Sequence, residues 1–151
     1  MGKWMAGGED KVAPERITED WVVQRLNALW PAHLAAFAEM LVSVRGQFEG
    51  DLDAMLVLLV VSQGTQKEDW GDTLFGRTSP NRRVAPTHAL SLSEITGIPR
   101  ETVRRKLARL AAKGWIAREP DGNWTTTYRA AVELRPSTDA TFRYLRSILS
   151  A

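Results

Sequence analysis

Residues 91–107 read SLSEITGIPRETVRRKL, and this stretch decides the fold. It predicts a short helix, a tight turn and a second helix. Ser91 or Ser93 can cap the first helix by accepting a backbone N–H bond, and Gly97 can adopt the left-handed conformation that ends it. Pro99 suits the first position of the second helix, where a missing N–H has no consequence. Two helices joined by a three-residue turn with glycine have the layout of a helix-turn-helix.

The second helix is predicted to end at Gly114, and a hairpin follows it. The apolar side chains of this helix recur at helical spacing, which indicates a face packed on the rest of the fold: Val103, Leu107, Leu110 and Ala111. The run Pro120-Asp121-Gly122-Asn123 predicts a turn between two short strands. A hairpin directly after the second helix is a wing. The predicted fold is therefore mainly α with a small β-wing.

The same residues carry a resemblance. The stretch from Gly97 to Ile116 resembles the recognition helix of bacterial winged helix-turn-helix regulators, and with its hairpin it covers about a fifth of the chain. Arg100-Glu101-Thr102-Val103, with Arg105 after one further residue, is most similar to the catabolite-activator (Crp/Fnr) family. The ending Leu-x-x-Leu-x-x-x-Gly-Trp-Ile is similar to the MarR, GntR and IclR families. The resemblance implies that the Arg and Glu side chains of this helix read base edges, although the nucleotide-binding β-roll of the Crp group has no counterpart upstream.

These residue types also suit DNA on chemical grounds. Arginine offers a bidentate fork to guanine, and a glutamate can accept from cytosine N4 although the phosphate backbone repels it. We therefore expect base reading by Arg100, Glu101, Arg104 and Arg105, with helix capping as the alternative for Glu101. Nearby cations and polar side chains suit phosphates. The expected backbone set is Ser91, Ser93, Thr102, Arg109, Lys113, Arg118, Asn123, Arg82 and Arg83.

Charge is unevenly distributed along the chain. Residues 1–76 carry 6 Lys/Arg and 12 Asp/Glu, a net −6, whereas residues 77–118 carry 10 and 2, a net +8. Residues 119–151 carry 4 of each. A basic segment of this kind attracts polyanions, and the acidic front half is expected to keep to itself.

Composition narrows the function classes. The 151 residues suffice for one ordinary core, and the absence of cysteine excludes disulfides and thiolate metal sites. With two distant histidines and no Gly-rich phosphate loop, we expect no enzymatic role, no metal and no cofactor. The longest apolar run, residues 52–63, is shorter than the roughly 20 residues that span a bilayer. We expect a bacterial cytoplasmic protein, associated with the nucleoid, that does not bind membranes.

An additional helical arm precedes the winged domain. Residues 1–16 are expected to be a flexible terminus, and residues 17–50 a helical arm that starts at Thr18 and kinks or restarts at Trp30-Pro31. Apolar side chains recur every three or four residues without an obvious partner in the chain. We therefore expect a homodimer interface made by Val22, Leu26, Leu29, His33, Phe37, Met40 and Val44. Folding back on its own domain is the open alternative.

The remaining segments are assigned by position. Residues 51–136 are expected to form the winged domain, with Asp51 capping a first helix, although a buried strand would also fit. Residues 64–87 are expected to be a long inserted loop, which either reaches the DNA backbone or packs on the dimer. His88 precedes a predicted short strand, Ala89-Leu90. Residues 137–151 are expected to form a last helix that closes the core or joins the dimer interface.

Two functional hypotheses follow. The first is a homodimeric, sequence-specific transcription regulator of double-stranded DNA on a pseudo-palindromic site. The second is an architectural or protein-interaction domain that binds nucleic acid without base selection. Control by a small-molecule effector is left open: the six tryptophans could line a pocket between arm and domain, or pack in the core.

Overall fold

A computed structural model describes residues 17–64, 70–75, 77 and 87–151. These residues are mainly helical, with one small two-stranded antiparallel sheet, which confirms the coarse fold prediction. In chain order the elements are α1 (Glu19–Gln24), α2 (Leu26–Gln47), α3 (Leu52–Ser62), α4 (Trp70–Leu74), α5 (Ala89–Thr96), α6 (Arg100–Ala112), β1 (Ile116–Arg118), β2 (Trp124–Thr126), α7 (Tyr128–Glu133) and α8 (Arg135–Leu149). Residues 1–16, and with them the predicted flexible terminus, lie outside the described residues.

Side-chain caps fix where several helices begin. Thr18 accepts from the Trp21 N–H at 3.2 Å, and Asp51 Oδ1 accepts from the Ala54 N–H at 2.9 Å. The second of these confirms that residues 52–62 form a helix and not a buried strand. The segment after the hairpin, which the sequence left unassigned, is α7, capped by the Thr127 hydroxyl. Each cap satisfies an amide that the helix itself leaves without a partner.

The predicted fresh start of a helix at Trp30-Pro31 is wrong. The arm breaks earlier, at Arg25 (φ −107°, ψ 8°), and α2 continues through Pro31. Proline removes the bond that its N–H would make to the carbonyl of Asn27. Asn27 is exposed, so water can reach this carbonyl, and the proline is tolerated.

The expectation for the start of α5 is also wrong. Ala89 and Leu90 are the first turn of the helix and not a strand, and the cap is His88, whose Nδ1 accepts from the Ser91 N–H at 3.3 Å. An imidazole nitrogen can supply the same acceptor as a serine hydroxyl, but from a side chain that rarely does so. Because His88 caps the helix, Ser91 does not.

The main hydrophobic core lies between α3, α5, α6 and the hairpin. Buried side chains converge there from each element: Val57 and Leu58 from α3, Leu92 from α5, Val103, Leu107 and Leu110 from α6, and Ile116 from β1. In the hairpin, Ile116 pairs with Thr126 and Arg118 with Trp124. The Thr87 hydroxyl donates to the Trp124 carbonyl and accepts from the Trp124 N–H at 2.9 Å, so β2 is tied to a residue two positions before α5.

The arm packs against the C-terminal helix of its own chain. His33 Nδ1 lies 3.1 Å from the Tyr144 hydroxyl, and the Phe37 and Tyr144 rings are 5.8 Å apart. Gln47 Oε1 accepts from the Ser137 N–H at 3.0 Å. The expectation that this stripe has no partner within the chain is therefore wrong for His33 and Phe37, since α8 supplies a complementary aromatic and polar face.

Part of the apolar surface of α2 stays exposed. Leu26, Trp30 and Leu34 recur every four residues and are 40%, 57% and 56% exposed. Val22, in α1, is exposed as well. The predicted interface residues thus differ in burial: Val22 and Leu26 are exposed, whereas Leu29, His33, Met40 and Val44 are half-buried. Trp30 and Leu34 were missed, although their four-residue spacing from Leu26 was visible in the sequence.

Candidate nucleic-acid interface

The turn between α5 and α6 is held by side-chain hydrogen bonds. Gly97 has the left-handed conformation that the sequence predicts, with φ 71°. The Ser93 hydroxyl donates to the Ile98 carbonyl at 2.7 Å, and the Thr96 hydroxyl donates to the Leu92 carbonyl at 2.6 Å. Pro99 is the residue just before α6, one position earlier than expected. These contacts fix the direction in which α6 leaves the turn.

One face of α6 is buried and anchors the helix. Val103, Leu107 and Leu110 are all fully or almost fully buried, as their spacing predicts. The helix ends where Gly114 takes a left-handed φ of 76°. The two remaining faces are both charged, but they have different surroundings.

The first charged face is bound to carboxylates of the turn before α3. Asp51 Oδ2 lies 2.8 Å from Lys106 Nζ and 3.0 Å from Arg109 Nη1. Glu49 Oε2 lies 2.7 Å from Arg109 Nη2, and Glu49 Oε1 lies 2.9 Å from Lys113 Nζ. We call Lys106, Arg109 and Lys113 the tethered face. The expectation that the acidic front half keeps to itself is therefore wrong for these two carboxylates.

The tethering cations favour the ionised forms of both acids. The hydrogen bond from Lys113, followed by the charges of Lys113 and Arg109, lowers the pKa of Glu49. Burial raises the pKa of Asp51, but the hydrogen bonds from Lys106 and the Ala54 N–H, together with the charges of Lys106 and Arg109, outweigh burial, so the pKa of Asp51 is lowered overall. Asp51, with a side chain only 9% exposed, thus caps α3 and binds two cations of α6 at once.

The second charged face points to solvent. Arg100, Glu101, Arg104 and Arg105 are exposed, together with the small side chain of Ala108, and we call these five residues the open face. Within the described part of the chain, the open face makes only weak contacts. Arg104 lies 3.9 Å from Glu101, and Arg105 Nη2 donates to the Thr102 hydroxyl at 3.2 Å. All four residues expected to read bases therefore lie on one exposed surface of one helix.

The residues expected to bind the DNA backbone are less uniform. The Ser93 hydroxyl is used inside the turn, and Asn123 Oδ1 accepts from the Thr87 N–H at 2.8 Å. Ser91 Oγ lies 3.2 Å from the ring of the capping His88. Each of these side chains has a structural partner that the sequence did not reveal, and none of the three is kept in the candidate interface.

Three further residues of that set belong to the hairpin and to the predicted loop. Arg118 is exposed on β1, where its Nε makes a long 3.5 Å bond to the Gly122 carbonyl, so it remains a candidate for phosphate. Arg82 and Arg83 lie outside the described residues. Of the long loop, residues 70–74 form the short helix α4, and Phe75 packs on Phe142 of α8 with ring centroids 5.9 Å apart.

The described ranges hold neither a metal-binding cluster nor a membrane-spanning helix. Over residues 17–64, 70–75, 77 and 87–151 no group of three His, Cys, Asp or Glu side chains could hold a metal ion. No helix of these ranges is long and apolar enough to cross a membrane.

Comparisons of this chain with protein-family models, with curated proteins and with solved structures return no match. A function must therefore be inferred from the side chains and their arrangement.

Proposed function

We propose that this protein is a winged helix-turn-helix regulator that binds double-stranded DNA in a sequence-specific manner through α6. The observation that carries the proposal is the open face of that helix, where three arginines and one glutamate are exposed and a small alanine follows one turn later. A fixed turn and three buried side chains hold the helix that presents them. A rigid helix with free, long, polar side chains on its outer face is what major-groove reading requires.

The chemistry of the open face matches base edges. The guanidinium groups of Arg100 and Arg105 can each donate two bonds to guanine O6 and N7. Glu101 can accept from cytosine N4, and Ala108 lets the helix approach the groove floor and the thymine methyl group. Arg104 has a neighbouring exposed position from which it can reach either a base or a phosphate.

The tethered face makes non-specific attraction weaker than the sequence charge indicates. Glu49 and Asp51 offset much of the charge of Lys106, Arg109 and Lys113, since their carboxylates lie within hydrogen-bond distance. Phosphate binding by counterion release depends on the number of cations that are free to contact phosphates. A smaller free charge with a well-placed open face favours base selection over purely electrostatic binding.

We also propose that the DNA-binding form is a homodimer joined through the exposed face of α2. Leu26, Trp30 and Leu34 offer an apolar row that stays exposed in the single chain. A two-fold dimer would present two α6 helices to the half-sites of a pseudo-palindrome. In sedimentation, Leu34→Asp should convert the dimer to a monomer. Val132→Asp, which changes an exposed side chain of α7, should not. A wild-type monomer at micromolar concentration would contradict the dimer while leaving base reading by α6 intact.

One observation favours the second candidate function, an architectural domain without base selection. Glu101 lies 3.9 Å from Arg104, and a carboxylate held there would not be free to accept from a base. In that case Glu101 would only reduce the charge of the open face.

Selection of bound sequences from random DNA, followed by competition, distinguishes the two candidates. A specific regulator yields an enriched motif and keeps it against a large excess of unrelated DNA. Glu101→Ala should then relax one base position while leaving binding to random DNA unchanged or slightly stronger. No enriched motif, with every sequence bound equally, would overturn the regulator and leave the architectural domain.

A further inference from the structure

An apolar cavity lies between the paired helices α2 and α8 on one side and the main hydrophobic core on the other. Its volume is about 250 Å³. Met55 and Leu58 of α3 form one wall, Ala131 of α7 a second, and Thr141 and Phe142 of α8 a third. Trp70 and Thr73 of α4 close it from the remaining side. Trp70 is half-buried and Phe142 is partly exposed, so the cavity is in contact with solvent at this edge.

Several hydroxyl groups in the cavity wall already have hydrogen-bond partners, whereas one buried hydroxyl does not. The hydroxyls of Ser62 and Thr141 donate to carbonyls of their own helices at 2.8 and 2.9 Å, and that of Thr127 donates to the Gly114 carbonyl. Thr73 is 6% exposed, and its Oγ1 is buried without a hydrogen-bond partner among the described residues. A buried hydroxyl without a partner is costly, by about 1–3 kcal/mol, and it needs an explanation.

The residues that line the cavity also limit the charge that a bound molecule can carry. The described residues that line the cavity include no Asp, Glu, Lys, Arg or His. A charged molecule would lose its hydration there without a counter-charge. An apolar cavity of about 150 Å³ is large enough to bind benzene in another protein, so the space here suits a molecule of one or two rings.

We propose that this cavity binds a small, neutral, largely apolar molecule that carries a single hydrogen-bonding group, and that this group pairs with the Thr73 hydroxyl. Aromatic alcohols and similar one- or two-ring compounds are the ligand class. The ligand would touch α3, which packs on α6, and also α8 of the arm. The site is separate from the open face, and ligand binding to it does not depend on the proposed DNA binding.

The test uses phenol and toluene, which have nearly the same shape but differ in one hydroxyl group. Calorimetry and ligand-observed NMR on the full chain without DNA should show saturable binding of phenol and no binding of benzoate. Thr73→Val keeps the side-chain shape and removes the hydroxyl. It should weaken phenol about three- to tenfold, the usual value of one hydrogen bond, and leave toluene unchanged or bound more tightly.

Two further variants keep the result interpretable. Thr141→Val is the matched control, because this hydroxyl lines the same cavity but already donates to the Ser137 carbonyl, so phenol binding should stay within about twofold of wild type. Ala131→Phe fills the cavity and should abolish binding of both probes. The proposal is overturned if phenol does not bind at millimolar concentration, if Thr73→Val and Thr141→Val have equal effects, or if Ala131→Phe binds phenol as wild type does. Loss of DNA binding in any variant would bear on the regulator proposal and not on this one.

Discussion

The tethered face and the open face of α6 have the same kinds of residue but different neighbours. Lys106, Arg109 and Lys113 lie opposite two carboxylates of the turn before α3, at distances of 2.7 to 3.0 Å. On the open face, Arg100 and Arg105 have no carboxylate within ion-pair distance in the described part of the chain. The difference divides one basic helix into a part that stabilises the fold and a part that is available to a partner.

The comparison also explains why net charge is a poor guide to a binding surface. A cation with a carboxylate at hydrogen-bond distance must lose that bond before it can contact phosphate. A cation without such a partner binds phosphate or a base without this loss. The positive charge of α6 that is available to an anionic partner is therefore mainly that of its open face.

The largest effect on stability is expected at Asp51, the residue on which the tethered face depends most. Asp51→Ala should lower the free energy of unfolding by about 2 kcal/mol, because it removes the cap of α3 and also the charged hydrogen bond from Lys106. Urea unfolding measures this. Asp53→Ala, an exposed residue in the first turn of the same helix, is the control and should change stability by less than about 0.5 kcal/mol. Equal losses in the two variants would mean that the tethered face does not stabilise the fold.

A smaller difference is expected between single cations of the two faces. Arg109→Ala should lower the free energy of unfolding by about 0.5–1 kcal/mol, because Arg109 contacts both carboxylates but is partly exposed. Arg105→Ala, one turn earlier on the open face, should change it by no more than about 0.5 kcal/mol. Thermal and urea unfolding of the two proteins side by side provide the measurement. A larger loss for Arg105→Ala would reverse the assignment of the faces.

The smallest effect is a pH dependence. The pKa values of Glu49 and Asp51 are lower in the folded protein than their ordinary values, so their contribution is present above the unfolded carboxylate pKa of about 4. It is lost as the pH falls through the folded values. The free energy of unfolding of wild type should therefore fall more steeply below about pH 4 than that of the Glu49→Gln/Asp51→Asn double variant. Parallel curves for the two proteins would show that these acids are not tethered in solution.

Local signals explain why helices α5 and α6 and the turn between them could be predicted. Gly97 and Pro99 specify the turn through their own backbone preferences, and the spacing of Val103 and Leu107 specifies the buried face of α6. The cap at Asp51 was visible for the same reason. Each of these features depends on residues within a few positions of one another.

The missed features depend on residues that are distant in sequence or unusual in type. Arg109 and Glu49 are 60 positions apart, and His33 and Tyr144 are 111 apart. No periodicity links such pairs, so the sequence indicated the charge of Arg109 but not its partner. His88 was missed as a cap because histidine rarely has that role.

A DNA-binding titration of matched variants tests the central claim, that the open face reads DNA and the tethered face does not. Wild type, Arg105→Ala and Arg109→Ala would be titrated against the selected site and against random DNA, under conditions in which all three proteins are folded. Arg105→Ala should cost about 1–3 kcal/mol on the selected site and relax one base position. Arg109→Ala should stay within about 0.5 kcal/mol of wild type on every sequence. Equal losses for both variants on all sequences would contradict the account.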